Sequence, residues 1–248
     1  MYAQALEAND IEVQRDFRIG QREVYLPDIE AGAIGVFPEY TGSLLQTLSP
    51  DAAGGTSDEI YIELEAALPD GLRMLAKAEA SDQNSWTVTQ AVADKYNLTD
   101  IASLKNVTEP ITVGGNSELE TRPYGPTALK EKYGIETAGF QPIEDGGDPL
   151  TVKALVDDDI QITNIYTASP NIKSDKLVAL EDPDGLFFAD NVVPVVSDKV
   201  DEPAAAVLDK VSLALSAEDL VSLNSESVND QKSAEDIAAA WLEQADLF

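Results

Sequence analysis

The side chains best equipped for chemistry in this sequence are carboxylates. There are 46 Asp and Glu against 16 Lys and Arg, and neither His nor Cys occurs. Thiol nucleophiles, disulfides, zinc sites built on nitrogen or sulfur, and histidine general bases are therefore excluded together. For acid–base or metal chemistry there remain Asp145 and Asp148, which flank Gly146-Gly147, and the run Asp157-Asp158-Asp159. A catalytic reading would use either cluster as acid/base groups or as ligands of a divalent cation. The plainer reading makes the first pair a glycine turn and the second a solvated helix end, because no matching ligand loop surrounds them. The formal charge of −30 narrows the partners. It repels phosphate backbones and anionic headgroups, so neither nucleic acid nor a membrane surface is expected, whereas a cationic ligand is electrostatically welcome. The same charge also suits a solvated face that only keeps the protein soluble.

The elements that must position such groups follow from periodicity. At 248 residues and 44% hydrophobic content the chain can build one large domain or two modest lobes. No apolar run of about 18 residues is present to span a membrane, and no basic-then-apolar leader opens the sequence, so a signal peptide is expected to be absent from this chain. The lack of cysteine is compatible with an oxidising exterior. Met1 to Asn9 has the pattern of an amphipathic helix, and the alternation from Ile11 to Ile19 predicts a strand ended by Gly20. A helix over 21–31 ends at Gly32, and the apolar run Ala33 to Phe37 predicts a strand buried on both faces of a parallel sheet. Further helices are expected at Asp58 to Leu68, within 90–105 and at Thr127 to Tyr133. Further strands are expected at Ser85 to Thr89, Ile111 to Gly115, Gln161 to Tyr166 and Val192 to Val196, before closing helices of which the last is capped near Ser233. Repeated strand–helix alternation predicts an α/β architecture with mainly parallel sheets. Ligands of such sheets bind at the carboxyl ends of strands, here the loops 37–43, 83–87, 115–124, 166–171 and 188–191.

The first of those loops, Phe37-Pro38-Glu39-Tyr40-Thr41-Gly42-Ser43, resembles the Pro-Glu-Tyr-Thr-Gly signature of glycine betaine/choline/proline betaine binding proteins from osmoprotectant ABC importers. Collinear matches follow at Asn84-Ser85-Trp86, Glu120-Thr121-Arg122-Pro123-Tyr124-Gly125, Lys132-Tyr133-Gly134, Tyr166-Thr167-Ala168-Ser169, Leu177 to Asp182 and Pro194-Val195-Val196, so the resemblance covers essentially the whole chain. It implies a two-lobed periplasmic-binding-protein fold of type II, a Venus flytrap, with crossings near Gln90 and Lys176. Lobe I would then be 1–90 plus 177–248, and lobe II 91–176. It further implies a non-enzymatic, extracytoplasmic solute-binding protein, in the periplasm or lipid-anchored at the outer face of the cytoplasmic membrane. Such a protein holds a quaternary-ammonium compound in an interlobe aromatic cage and delivers it to an ABC permease, as a monomer and without cofactor or metal. The family begins with a strand and a ligand-contacting loop ahead of its first helix, and this sequence opens inside that helix, so that strand is expected to be missing.

A trimethylammonium group has no hydrogen to donate, and proteins recognise it with the faces of aromatic rings. The family's aromatic positions map by motif onto Tyr40, Trp86 and Tyr166. Each ring taken singly is equally well explained as packing. In a chain only 6% aromatic, three rings in separate rim loops together favour the cage. A further cage tyrosine of relatives falls, by equal spacing, on Asp190, which would be either a counter-ion suited to choline or an exposed loop residue. A betaine carboxylate needs donors, and the resemblance offers Arg122, whose plain alternative is a surface arginine in an acidic protein. Thr41, Ser43 and Asn84 are short polar side chains able to orient a carboxylate or a hydroxyl. Two other readings stand beside this one: an enzyme of the same bilobed fold acting on a small cationic substrate, and a solute-sensing module without transport.

Overall fold

The computed structural model describes residues 1–20, 22–147 and 149–247, and Asp148 lies outside the described residues. The chain divides into two compact units, 1–81 with 189–248, and 82–188.

The first unit opens with α1 (Tyr2–Ala8), α2 (Arg22–Glu30), β1 (Val36–Tyr40), α3 (Thr41–Leu48), α4 (Ser57–Ala67) and β2 (Leu72–Met74). The second unit holds β3 (Asn84–Thr89), α5 (Gln90–Tyr96), β4 (Thr112–Gly115), α6 (Pro126–Tyr133), β5 (Gly139–Pro142), α7 (Pro149–Val156), β6 (Ile162–Tyr166), α8 (Asn171–Ser174) and β7 (Leu177–Ala179), with 3-10 turns at Ile101–Asn106 and Ser117–Glu120. The chain then returns to the first unit with β8 (Val192–Ser197), α9 (Glu202–Ala214), α10 (Ala217–Val228) and α11 (Ala234–Gln244).

Helix boundaries follow the local chemistry. Thr56 and Glu59 form a reciprocal capping box ahead of α4, and Ser233 accepts the Asp236 amide to start α11. Helix α6 ends on Gly134 at φ 67, a left-handed conformation that glycine adopts without a Cβ clash.

The first unit's sheet has the order β1-β8-β2, with β8 central and antiparallel to both neighbours. Every residue of β8 is buried, and Val193, Val196, Leu44, Leu45, Ile60, Leu64, Leu208 and Val211 form the heart of this core. Two expectations change here. The strand predicted for Ile11 to Ile19 does not form: the segment is irregular, preceded by left-handed backbone at Asp10 and interrupted by it at Arg18, and Phe17 is 66% exposed. Alternation makes a strand only where another strand supplies hydrogen bonds, and none does at this position. The strand predicted at Ala33 to Phe37 lies instead at Val36–Tyr40, on an antiparallel edge rather than inside a parallel sheet. The prolines explain how this edge is built. Pro38 faces Pro194 across the ladder, and the Pro194 carbonyl accepts from Leu75 N at 3.0 Å, so its backbone groups turn toward β2. The Pro38–Pro194 pair is therefore a non-hydrogen-bonded one, where a missing N–H costs the β1–β8 ladder nothing.

The second unit's sheet has the order β5-β4-β6-β3-β7. Strand β4 is parallel to β5 and β6, while β3 is antiparallel to β6 and β7. Parallel pairing is thus confined to β5, β4 and β6 among the described strands, and the mainly parallel expectation is corrected, because strand–helix alternation does not say beside which strand a returning chain lands. The expected crossings near Gln90 and Lys176 fall inside this unit, since β3 and β7 are neighbouring strands of one sheet and Gln90 N donates to Lys176 O at 2.9 Å. One core cluster gathers Trp86, Val88, Ile101, Val113 and Leu129, and a second gathers Val152, Leu155, Ile160 and Ile165.

Of the described carboxylates considered for catalysis, Asp145 and Asp157 have structural work. Asp145 accepts from Leu150 N at 2.6 Å, Thr151 N at 3.1 Å and the Thr151 hydroxyl, which caps α7. Asp157 pairs with Lys153 one helical turn before it, and Asp158 takes the left-handed conformation that ends the helix. No group of three acidic side chains among the described residues could hold a metal ion, and no described helix is long and apolar enough to cross a membrane.

Candidate functional site

Strand β1 runs directly into α3, so the residue at the helix N-cap is Tyr40, whose side chain makes no capping hydrogen bond. The first amides of α3 must find acceptors elsewhere. Thr41 N donates to Asn191 O at 3.0 Å. Ser43 N donates to Asp190 Oδ1 at 2.8 Å, and the Ser43 hydroxyl donates to Asp190 Oδ2 at 2.5 Å. A carboxylate from the loop before β8 thus caps α3, favourably placed at the positive end of the helix dipole. Thr41 is fully buried, donating its hydroxyl to Ala189 O and accepting from Asn191 N, so it ties the same loop down and presents nothing to a solute.

Beneath this junction lies a charged cluster that sequence reading did not single out. Glu39 is 2% exposed. Its carboxylate receives Arg22 Nε and Nη2 at 2.8 Å each, the Tyr25 hydroxyl at 2.8 Å and Tyr40 N at 3.0 Å. Arg22 Nη1 also reaches Ser43 O at 3.3 Å. The Tyr25 ring stacks on Phe37 at 3.9 Å between centroids. Burial works against the Arg22 charge, but the hydrogen bonds and negative charge of Glu39 outweigh it, and the guanidinium is held more firmly protonated than usual. Burial, followed by the Glu39 charge, pushes the Tyr25 phenol well above its ordinary range.

Asp190 was expected to be either a counter-ion or an exposed loop residue, and the exposed alternative is corrected: it is 2% exposed. Burial pushes its carboxyl up to about 6, against the hydrogen bonds from Ser43 and the positive charge of Arg22, while Glu39 raises it further. Two carboxylates thus share one guanidinium, leaving a net negative charge beneath Tyr40 when both are ionised.

In the second unit, Asn84 begins β3 and Tyr166 ends β6, and the two are register partners. Asn84 is buried, whereas Tyr166 is 40% exposed. Trp86 has no exposed surface. Strand alternation puts it on the same face of β3 as Val88, inside the larger core cluster. Its ring centroid lies 6.3 Å from that of Phe187, which in turn lies 5.4 Å from that of Tyr124. This is the packing alternative for Trp86, and its ring is not available as a cage wall. Arg122 follows the Ser117–Glu120 turn, half-buried, with its carbonyl accepting from Gly125 N at 2.8 Å.

The predicted residues therefore fall into separate groups. Tyr40, Thr41, Ser43 and Asp190 meet in the first unit, Asn84 and Tyr166 pair in the second, Trp86 sits in the larger core cluster of the second unit, and Arg122 occupies its own turn. Arg22 and Tyr25 were missed. The available signal was a glutamate inside an otherwise apolar strand, since a buried carboxylate requires a cation and donors.

A two-unit α/β chain with tyrosines at strand ends, and with Asp145 occupied as a helix cap and Asp157 in an ion pair, has the plan of a solute-binding protein. A solved structure described as a glycine betaine/carnitine/choline ABC transporter superposes with a TM-score of 0.77 over 99% of this chain and 93% of that one, at 16% identity. A choline-binding ABC transporter protein in complex with choline gives 0.65 over 98% and 82% of the two chains, at 18% identity. The glycine betaine-binding protein YehZ of Escherichia coli K12 is 25% identical over 255 residues, covering 97% of this chain and 84% of the relative. Residues 1–244 match the model of the substrate binding domain of ABC-type glycine betaine transport systems, and the chain belongs to that family.

Proposed function

We propose that this protein is the extracytoplasmic receptor of an ABC importer and binds a quaternary-ammonium solute of the choline or glycine betaine kind through the rings of Tyr40 and Tyr166. The observation that carries this reading is the seat of Tyr40. Its ring is left out of the buried core while its backbone amide is anchored to the buried Glu39 carboxylate, with a net negative charge beneath it. An aromatic face over a negative field attracts a cation that cannot hydrogen-bond. Ser43, whose hydroxyl proton is committed to Asp190, keeps lone pairs that can accept from a ligand hydroxyl. Arg122 is the candidate partner for a carboxylate, and Asn84 for a second polar contact. Thr41 and Trp86 leave the ligand-contacting set because both are fully buried in structural roles. The family supports a membrane permease as partner and delivery rather than chemistry as the task; action as a monomer is part of the proposal.

Calorimetric titration with choline, glycine betaine and carnitine tests the reading directly. Saturable binding of at least one, abolished by the pair Tyr40→Ala and Tyr166→Ala, is expected. Absence of binding to all three would overturn it, as would binding that survives loss of both rings. Arg122→Ala should weaken glycine betaine and leave choline nearly unchanged, and equal loss of both would remove Arg122 from the site.

A further inference from the structure

Resting on that reading of the site, we propose that Arg22 is a positioning residue for solute binding, which bridges both ends of the Glu39–Ser43 turn and thereby sets the direction of the Tyr40 ring and the Ser43 hydroxyl. The geometry is that of one rigid fork holding one short segment. Nε and Nη2 grip Glu39, and Nη1 grips the carbonyl of Ser43, four residues further on. Glu39 then accepts the amide of Tyr40, so the backbone of the residue that carries the ring is fixed through the same ion pair. Asp190 closes the other side by binding Ser43 N and its hydroxyl. Tyr40 thus stands on backbone fixed from two directions, and only one of the anchors comes from α2.

Side-chain type matters here. The planar guanidinium supplies three donors in a fixed fan, and that is what lets one residue hold a carboxylate and a carbonyl at once. A lysine ammonium keeps the charge but not the fan, so it can satisfy Glu39 and still release Ser43. The cluster contains Arg22 and Tyr25 from α2, Glu39 from β1, Ser43 from α3 and Asp190 from the loop before β8. Replacing Arg22 by Lys leaves this charge count intact, so a change in affinity reports on geometry rather than on net charge.

The test is a double-mutant cycle on the whole chain with Arg22→Lys, Glu39→Gln and their combination, reading choline and glycine betaine affinity by calorimetry and folding by thermal melting. Each single variant should weaken whichever ligand the wild type binds by roughly tenfold to a hundredfold, the scale of one charge-assisted hydrogen bond lost or misplaced. The double variant should bind no more weakly than the poorer single one, because both changes break the same bridge. Affinity losses that simply add would overturn the proposal, as would an Arg22→Lys protein that melts below wild type but binds as wild type does, which is the behaviour of a residue that only docks α2. The wild-type titration and Tyr40→Ala separate this from failure of the site itself. A wild type that binds none of the ligands, or a Tyr40→Ala protein that binds like wild type, refutes the site, whereas intact binding in Arg22→Lys alone refutes only the positioning role.

Discussion

Tyr40 and Trp86 are both aromatic residues beside strand ends of a family signature, and they have opposite fates. Tyr40 stands at the β1–α3 junction with its ring outside the core and its amide on a buried carboxylate. Trp86 lies within β3, its ring wholly enclosed among apolar side chains and Phe187. The surroundings that produce the two outcomes are also opposite: charges and hydrogen bonds fix the backbone at Tyr40, whereas at Trp86 the ring itself is the packing element. The contrast teaches that an aromatic ring stays outside the core where something other than the ring holds its residue in place.

The most severe way to break this comparison is Trp86→Ala. Emptying a fully buried aromatic site should cost about 3–5 kcal/mol of stability in urea unfolding. A stable Trp86→Ala protein that had lost its ligand would return Trp86 to the binding site and end the contrast. Tyr40→Ala should do the reverse, changing unfolding little while weakening a cationic ligand by about 2 kcal/mol, or roughly thirtyfold, as a cation–π contact in a desolvated site would. Next in size is Tyr25→Phe, which takes one donor from buried Glu39 and should lower stability by about 1–2 kcal/mol without altering the tyrosine-to-cation contact.

The smallest effect concerns Asp190. Its folded-state pKa of about 6 lies above its ordinary value, so its contribution to stability is present at low pH and is lost as pH rises through 6. Between pH 7 and pH 5 the wild type should gain about 1.4 kcal/mol from this one group. Asp190→Asn should lack that gain when thermal melts of the two proteins are compared across the same pH range. Parallel pH profiles would mean that Asp190 is already neutral, or is hydrated, in the folded protein.

The helices that were legible, unlike α3, α7 and α8, owe it to signals that are local. Thr56 with Glu59, Ser233 and Gly134 each act on neighbours within a few residues, and each stands at the boundary it marks. Strand order and direction were not, because β1 takes its direction from β8, which arrives over 150 residues later, and the same apolar run suits either pairing. The alternation of Ile11 to Ile19 misled for the same reason, lacking any strand beside it. In the site, equal spacing pointed to position 190, but nothing near that position in sequence says that its carboxylate is buried against Ser43. The partner of Glu39 was equally hidden. Arg22 lies in a helix whose sequence gives no sign that its single cation turns inward, and the fold brings it to Glu39, the residue before Tyr40. Trp86 shows the limit of mapping by motif: strand parity decided its fate, and the motif carries no parity.

The facing prolines of β1 and β8 bear on how such a protein behaves in a crowded solution. Residues 36, 38 and 40 turn their backbone groups away from β8, toward the free margin of the sheet. At 38 there is no N–H to offer, and at 40 the N–H is already taken by the Glu39 carboxylate. A stray strand approaching that margin would find no available donor at 38 or 40. An exposed sheet margin is otherwise a template for the cross-chain association that leads to aggregates. Pro38 and Glu39, the residues just before Tyr40, thus also make this edge a poor place for another chain to attach.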